Sequence, residues 1–421
     1  MLNYLDQMDA SQGCGPLLDR GKIADIPLRQ QVFQYVRAHG GAARTDITRA
    51  LDISPGSATT STADLITAGF LREIEGTARE HGRGRPPVAL EVVADAAYVI
   101  GIKLSSTRHS AVLSDFAGDV VATASAPSST ARRSIAQILA EIETLIDTLL
   151  DNQSIAQRDI QAVGLGLPGI VDHSSGVVTW SPLLQHPNAD LRDAFMQTFA
   201  VPLFLDNDTN MLTLSELWFG DGRDKTDFAV VTIENGVGMG LVVNNSLFRG
   251  SHGMGLELGH TKVQLDGALC RCGQRGCLEA YLGDYALIRE AAVALDARLD
   301  GAQSAEQLLD DLFKHAKDGN TAAQTIFRRA GRYLSVGLAN VIQLFDPPLI
   351  ILSGQRVHYE DLYKDLVFDE AQELTLSNRS ERCQFLIRAW DDLVWARGAT
   401  VPALSAVTDA IIGGQTMMTN A

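Results

Sequence analysis

Residues Tyr98–Ala126, YVIGIKLSSTRHSAVLSDFAGDVVATASA, read as strand, turn, strand, turn, strand. Phe228–Arg249, FAVVTIENGVGMGLVVNNSLFR, repeats that rhythm. Helical sequence follows each block, as at Ser134–Leu150 after the first. Two copies of a hairpin-led α/β unit predict a duplicated sheet domain with a cleft between its halves. Val163–Asp172 and Leu349–Gly354 add buried strands ending in glycine turns, and Pro202–Asp208 is a strand that delivers polar residues at its carboxyl end. Ligands of open α/β sheets bind at that end.

Working outward, the 421 residues exceed one ordinary domain. A hydrophobic fraction of 46% with 20% charged residues excludes a disordered or collagen-like chain. The net charge of −16 argues against a protein that coats nucleic acid uniformly, but the charge is unevenly spread. Residues 20–90 hold 10 Lys and Arg against 7 Asp and Glu, so a mildly basic module precedes an acidic body. Residues 1–14 show no basic start followed by an apolar run, and no apolar stretch reaches the roughly 18 residues of a membrane span. The chain reads as cytoplasmic and soluble.

Within the basic module, the spacing of Leu28, Val32, Tyr35 and Val36 predicts a helix over residues 27–39, stopped by Gly40 and Gly41. A second helix spans about residues 45–51. After a tight turn at Asp52 and Ile53, Ser54 caps a third helix that opens on Pro55 and runs to about Ala68. Ala58, Leu65 and Ile66 face inward, while Ser57, Thr59, Thr60, Ser61 and Thr62 include the most exposed positions. Residues 70–75 and 88–93 form a hairpin whose tip, Arg79–Pro86, is basic and glycine-rich. Three helices and a basic hairpin describe a winged helix-turn-helix, with Ser57, Thr59 and Thr60 toward bases and Arg83 and Arg85 toward phosphate or minor groove. A helical packing module with a solvated charged loop is the plainer alternative.

Of five cysteines, three fall within eight positions: Cys270, Cys272 and Cys277. With His260 they make one His and three Cys in 18 residues, the donor set of a closed structural zinc site that leaves no position for a catalytic water. Buried free thiols beside an unrelated histidine would be the bland reading.

Gly253–Glu279, GMGLELGHTKVQLDGALCRCGQRGCLE, resembles the signature of the ROK family, named for repressors, open reading frames and sugar kinases. LGLPGIVD at 165–172, LDNDTN at 205–210, ENGVGMG at 234–240 and FDPPLIILSG at 345–354 stand in the family order. The resemblance implies an α/β fold: an N-terminal winged helix-turn-helix, as in the family's repressor branch, then a duplicated actin-like, ribonuclease H-like domain of sugar-kinase type with a zinc loop. It divides the chain into residues 1–90, residues 91–205 completed by about 391–421, and residues 206–390 with the zinc loop. It also implies that Asp208, beside Asn207, holds the position of the kinase base, and that Glu257, His260 and Glu279 contact sugar hydroxyls. Taken without the family, Asn207 and Asp208 are a capped turn after a strand.

Departures from the kinase pattern decide the branch. The kinase phosphate loop has the form Asp-x-Gly-Gly-Thr, whereas this chain reads Lys103-Leu104-Ser105-Ser106-Thr107. The carboxylate is a lysine and both glycines are serines, which hinders close backbone approach to phosphate. The paired glycines at the adenosine end appear as Ser353-Gly354, and Leu183 stands where many sugar-binding members carry Asn. The expectation is a sugar-responsive transcriptional regulator and not an enzyme: a repressor of carbohydrate genes that binds operator DNA as a homodimer or homotetramer, with structural zinc and a sugar or sugar-phosphate effector. The alternatives are a ROK-type kinase with residual or bifunctional activity, and a DNA-binding protein with a vestigial cleft.

Overall fold

The computed structural model describes residues 13–17, 26–74, 88–151, 153–251, 253–295, 304–354, 364–376, 381–389 and 391–415. They divide into two compact units, one built from the chain up to Thr226 together with Asp392 onward, the other from Asp227–Asp391.

The first unit begins with α1 (Leu28–Ala38), β1 (Ala42–Ala43), α2 (Arg44–Leu51), α3 (Pro55–Thr67), β2 (Leu71–Ile74) and β3 (Ala89–Val92). Asp52 takes a left-handed conformation at the end of α2, and Ser54 caps α3 by accepting the Ser57 amide at 3.0 Å, with Pro55 at the first helical position. The strands make a small antiparallel sheet in the order β1-β3-β2. Helix α1 buries Val32 and Val36 as expected, and also Phe33, Gln30 and Arg37, while Tyr35 stays half-exposed. The extra face is buried because α1 packs on a second surface: Phe33 meets Phe116 at a 4.8 Å ring separation, and Arg37 reaches Thr408. Ser61 and Thr62 of α3 are buried and not exposed, since the Thr62 hydroxyl accepts from the Arg44 side chain at 3.0 Å.

The remainder of this unit carries β4 (Tyr98–Lys103), β5 (Arg108–Asp115), β6 (Val120–Pro127), α4 (Ile135–Leu150), β7 (Ile160–Leu167), a small antiparallel sheet of β8 (Ile170–Asp172), β9 (Val177–Trp180) and β10 (Ala189–Asp190), then α5 (Leu191–Phe199), β11 (Leu203–Asn207) and α6 (Asp208–Phe219). The main sheet has the order β6-β5-β4-β7-β11, with β4 antiparallel to β5 and parallel to β7. Its core gathers Ile100, Ile102, Leu113, Ile142, Leu165 and Phe195.

The second unit holds β12 (Phe228–Ile233), β13 (Val237–Val243), β14 (Ser246–Phe248), a 3-10 turn at Leu258–His260, α7 (Glu279–Leu282), α8 (Asp284–Ala294), α9 (Ala305–Lys317), α10 (Thr321–Phe345), β15 (Leu349–Ser353), α11 (Lys364–Glu373) and β16 (Gln384–Arg388). Its sheet runs β14-β13-β12-β15-β16, with β12 antiparallel to β13 and parallel to β15. Numbered by appearance, both sheets are 3-2-1-4-5. The duplication read from the two hairpin blocks is therefore present in the strand order.

Helix α12 (Leu393–Ile411) returns to the first unit and lies on β4 and β7. Gly101 and Gly164 permit the contact, because a Cβ at either would overlap the carbonyl oxygen of Ala396 or Ala399. Gly398 lets α6 approach equally closely, its missing Cβ leaving room for the Met211 carbonyl. That packing explains the division of the chain. The units separate after Thr226, not after residue 205, since α6 is held by α12, and the three-helix module belongs to the same compact unit as the first sheet.

Candidate functional site

The second unit gathers His260, Cys270, Cys272 and Cys277, with one donor atom from each lying within 4.8 Å of the others. Turns at Gly273 and Gly276, both at positive φ, fold the segment back so that cysteines five and seven positions apart converge. The Sγ atoms of Cys272 and Cys277 are 3.7 Å apart, and His260 Nδ1 lies 3.6 Å from Cys270 Sγ. A tetrahedral zinc with sulfur ligands at about 2.3 Å needs donor separations of about 3.8 Å, so this donor set fits the ion in both chemistry and size. Cys270 and Cys277 are buried and Cys272 is exposed. Lys262 donates to Cys277 Sγ at 2.9 Å, placing a cation beside a cluster that carries excess negative charge when three thiolates hold a divalent ion.

The predicted sugar-contact residues of this unit adjoin that cluster. The 3-10 turn brings Glu257 Oε2 to 4.0 Å from His260 Nε2, the ring nitrogen facing away from the cysteines. Glu279 opens α7, with Oε1 3.7 Å from Cys270 Sγ and Oε2 accepting the Val237 amide at 3.4 Å. Gly236 leaves room for it, since a Cβ there would stand 2.7 Å from Glu279 Oε2. The glycine of the second hairpin thus serves a carboxylate as well as a turn.

In the first unit, β11 delivers Asn207 and Asp208 to the start of α6. Asn207 caps the helix, its Oδ1 accepting from the Thr209 amide at 2.8 Å and its Nδ2 donating to the Gly169 carbonyl at 2.8 Å. The capped-turn reading therefore holds for the Asn207 side chain. Burial raises the Asp208 carboxyl above its ordinary range, and the charge of Lys103 opposes that rise. Lys103 is itself only 3% exposed. Its Nζ pairs with Asp392 at 2.9 Å and lies 3.9 Å from the centre of the Trp395 ring. A buried cation requires such partners. In the sequence Lys103 stands out only as a lost carboxylate, and nothing near it in the chain points to Asp392 or Trp395. The available signal was a lysine at the end of an apolar strand, which demands a buried acid elsewhere. Leu183 is buried in the core of this unit.

On α3, Thr59 and Thr60 are exposed and Ser57 is half-exposed. The Ser57 and Thr59 hydroxyls have local partners, Ser54 Oγ at 2.9 Å and the Pro55 carbonyl at 2.8 Å. Arg83 and Arg85 lie outside the described residues. No described helix is long and apolar enough to cross a membrane.

The ROK family model matches residues 99–404. A xylose repressor of Caldicellulosiruptor bescii is 28% identical over 325 residues, covering 76% of this chain and 81% of the repressor. Among solved structures, a ROK family transcriptional regulator described as a homolog of E. coli MLC shares 24% identity at a TM-score of 0.75, covering 91% of this chain and 96% of that one, a likeness of fold. A ROK family glucokinase from Streptomyces griseus, solved with glucose and AMPPNP, is 27% identical with a TM-score of 0.60, covering 72% of this chain and 98% of the kinase. The family match spans most of the chain, and both sheets and the cysteine cluster lie within it: the chain belongs to the ROK family.

Proposed function

We propose that this protein is a sugar-responsive DNA-binding transcriptional regulator, a repressor of carbohydrate genes acting in the cytoplasm, and not a sugar kinase. The observation that carries this reading is Lys103. Where a ROK kinase places the carboxylate of its phosphate loop, this chain places a lysine ion-paired to Asp392. Ser105 and Ser106 follow in place of glycines, and the Ser105 amide, which would face a phosphate, donates to His109 Nδ1 at 3.1 Å. An ATP phosphate would meet a lysine in place of the metal-positioning acid, and the Ser105, Thr107 and Arg108 amides are already engaged by side chains of the loop.

The module before the first sheet supports the DNA-binding half: α2, a turn of three residues and α3 form a helix-turn-helix, and β2 and β3 form its wing. Residue Thr60, with Ser57 and Thr59, addresses the major groove, and Arg83 and Arg85 address the backbone or minor groove. Within the first unit, Asn207 and Asp208 offer groups suited to a polyol, and within the second, Glu257, His260 and Glu279 do the same. Zinc on His260, Cys270, Cys272 and Cys277 is structural, and fixes His260 and Glu279 in place without taking part in chemistry. The active species is a homodimer or homotetramer on a roughly palindromic operator. The relationship to the C. bescii xylose repressor favours a pentose or hexose effector.

The retained Asp208 and the relationship to the glucokinase favour one alternative, a residual kinase. Coupled ADP-release assays on glucose, xylose and N-acetylglucosamine should stay at background. Turnover near 1 per second, an ordinary enzyme rate, would replace the regulator reading. In parallel, Arg83→Ala with Arg85→Ala should weaken DNA binding across all sequences and flatten its salt dependence.

A further inference from the structure

The first unit contains a continuous chain of contacts from Lys103, near Asp208, to the helix-turn-helix module. Lys103 stands at its start: its register partner on β7 is Gly166, where a Cβ would lie 3.7 Å from the Asp208 Cα, and its Nζ is ion-paired to Asp392, the cap residue of α12. The Asp392 carbonyl also accepts from Ser110 at 3.0 Å, and Trp395, one turn on, packs under the Lys103 ammonium. From there α12 runs against β4 and β7 with its backbone in direct contact at Gly101 and Gly164, which leaves it little room to bend toward the sheet. At its far end Thr408 accepts Arg37 Nη1 at 2.9 Å, and Asp409 accepts Gln30 Nε2 at 2.6 Å. Arg37 and Gln30 are both buried on α1, and α1 packs against α3. The span from Asp392 to Asp409 is about 25 Å of helix.

The buried Lys103 cation is thus paired to one carboxylate, Asp392, and neighbours the backbone of a second acid, Asp208. A sugar hydroxyl bound at Asp208 competes for that carboxylate and so shifts the balance of the Lys103 cation between Asp208 and its ion pair with Asp392. We propose that Lys103 is a positioning residue that passes effector occupancy at Asp208 to Asp392, and that α12 carries the change to Gln30 and Arg37 of the DNA-reading module. The residue that ended kinase chemistry in this chain has become the start of its signalling path. This rests on the reading of Asp208 as an effector contact, and it adds the path by which that contact reaches DNA. A shared location is not coupling, so the test must measure coupling between the two ends.

The experiment uses the full chain and a DNA fragment selected from a randomised pool by the wild-type protein. Lys103→Met and Thr408→Val are made singly and together, and DNA affinity is measured without sugar. The two sites are far apart, so independent substitutions would combine within about twofold. The relay requires the double variant to depart from the product of the singles by fivefold or more; a combination within twofold overturns it. Should Lys103→Met fail to fold, Asp392→Asn takes its place in the same cycle.

Hydrogen exchange supplies a readout that a local packing role would not move. Lys103→Met should raise exchange in α1 at least tenfold, and Lys103→Arg, which keeps the cation, should restore the wild-type rate. Exchange altered only around residues 103 and 392 contradicts the proposal. In the sugar arm, D-xylose, D-glucose, N-acetyl-D-glucosamine and its 6-phosphate are screened by thermal shift. A sugar that stabilises the wild type should stabilise Thr408→Val equally yet no longer change its DNA affinity. If none of the four stabilises the wild type, the effector reading of Asp208 fails, and with it the input to the relay, whereas the cycle and the exchange rates judge the path itself.

Discussion

The two five-stranded sheets share one strand order and one pattern of parallel and antiparallel pairing, yet their first turns have diverged. In the first sheet β4 ends on a buried lysine, and the following loop is tied down by side chains, with Ser105 Oγ donating to the Arg108 carbonyl at 2.7 Å. In the second sheet the turn between β12 and β13 keeps Gly236, against which Glu279 is seated. One backbone plan therefore carries two chemistries. The first copy has given its turn over to an internal ion pair, and the second has kept a carboxylate beside a metal-binding loop. Duplication fixes where a strand ends, and the side chain at that point decides what the end does.

The largest effect is expected from separating α12 from its sheet. Gly164→Val would drive a side chain into the Ala399 carbonyl, a backbone atom that cannot swing aside. Overpacking of this kind should cost about 3 kcal/mol or more. Thermal unfolding followed by calorimetry should show the transition of the first unit displaced or absent. An unchanged profile would mean that α12 is not locked onto β7.

Next in size is the metal. Cys272→Ala should abolish zinc retention by mass spectrometry and lower the stability of the second unit by on the order of 3 kcal/mol, since binding to the folded site is lost. The variant should also lose the change in DNA affinity caused by sugar, because Glu279 and His260 are positioned by the same loop. Hydrogen exchange around Lys103 and Asp392 should stay as in the wild type. A metal-free protein that bound sugar as before would separate the zinc loop from the effector site.

The first sheet also carries a pH signature. Burial pushes the Asp115 carboxyl up to about 6 from 3.8, despite hydrogen bonds from the Gly118 and Asp119 amides. The folded state therefore holds this proton more tightly than the unfolded chain does. The stability it contributes is fully present below pH 4 and is lost as pH rises through about 6. Asp115→Asn can accept the same amides without the charge. It should remove a loss of about 2 kcal/mol between pH 4 and pH 7 seen in the wild type. Denaturant unfolding at both pH values reads this directly, and parallel curves for the two proteins would refute it. Smallest is the cap of α3, where Ser54→Ala should lower stability by about 1 kcal/mol.

Much of this molecule is legible in its sequence. The strand rhythm at Tyr98–Ala126 and Phe228–Arg249 gave both hairpins, Ser54 with Pro55 gave the start of α3, and one His with three Cys gave the cluster. Those signals are local, and periodicity, capping and ligand spacing report on neighbours in the chain. The Lys103–Asp392 pair spans 289 positions and the Arg37–Thr408 bond 371, so nothing in the spacing around either end announces them. The same blindness hid the second buried face of α1 at Phe33 and Arg37. It also placed the unit boundary too early, because α6 follows β11 in sequence but owes its place to a helix near the far end of the chain.

The most direct test of the account is the affinity of the wild-type protein for its selected DNA, titrated with each of the four sugars. We expect one sugar that raises the thermal transition to change DNA affinity by fivefold or more. A sugar that binds and stabilises the protein while leaving DNA affinity unchanged would contradict the regulator reading.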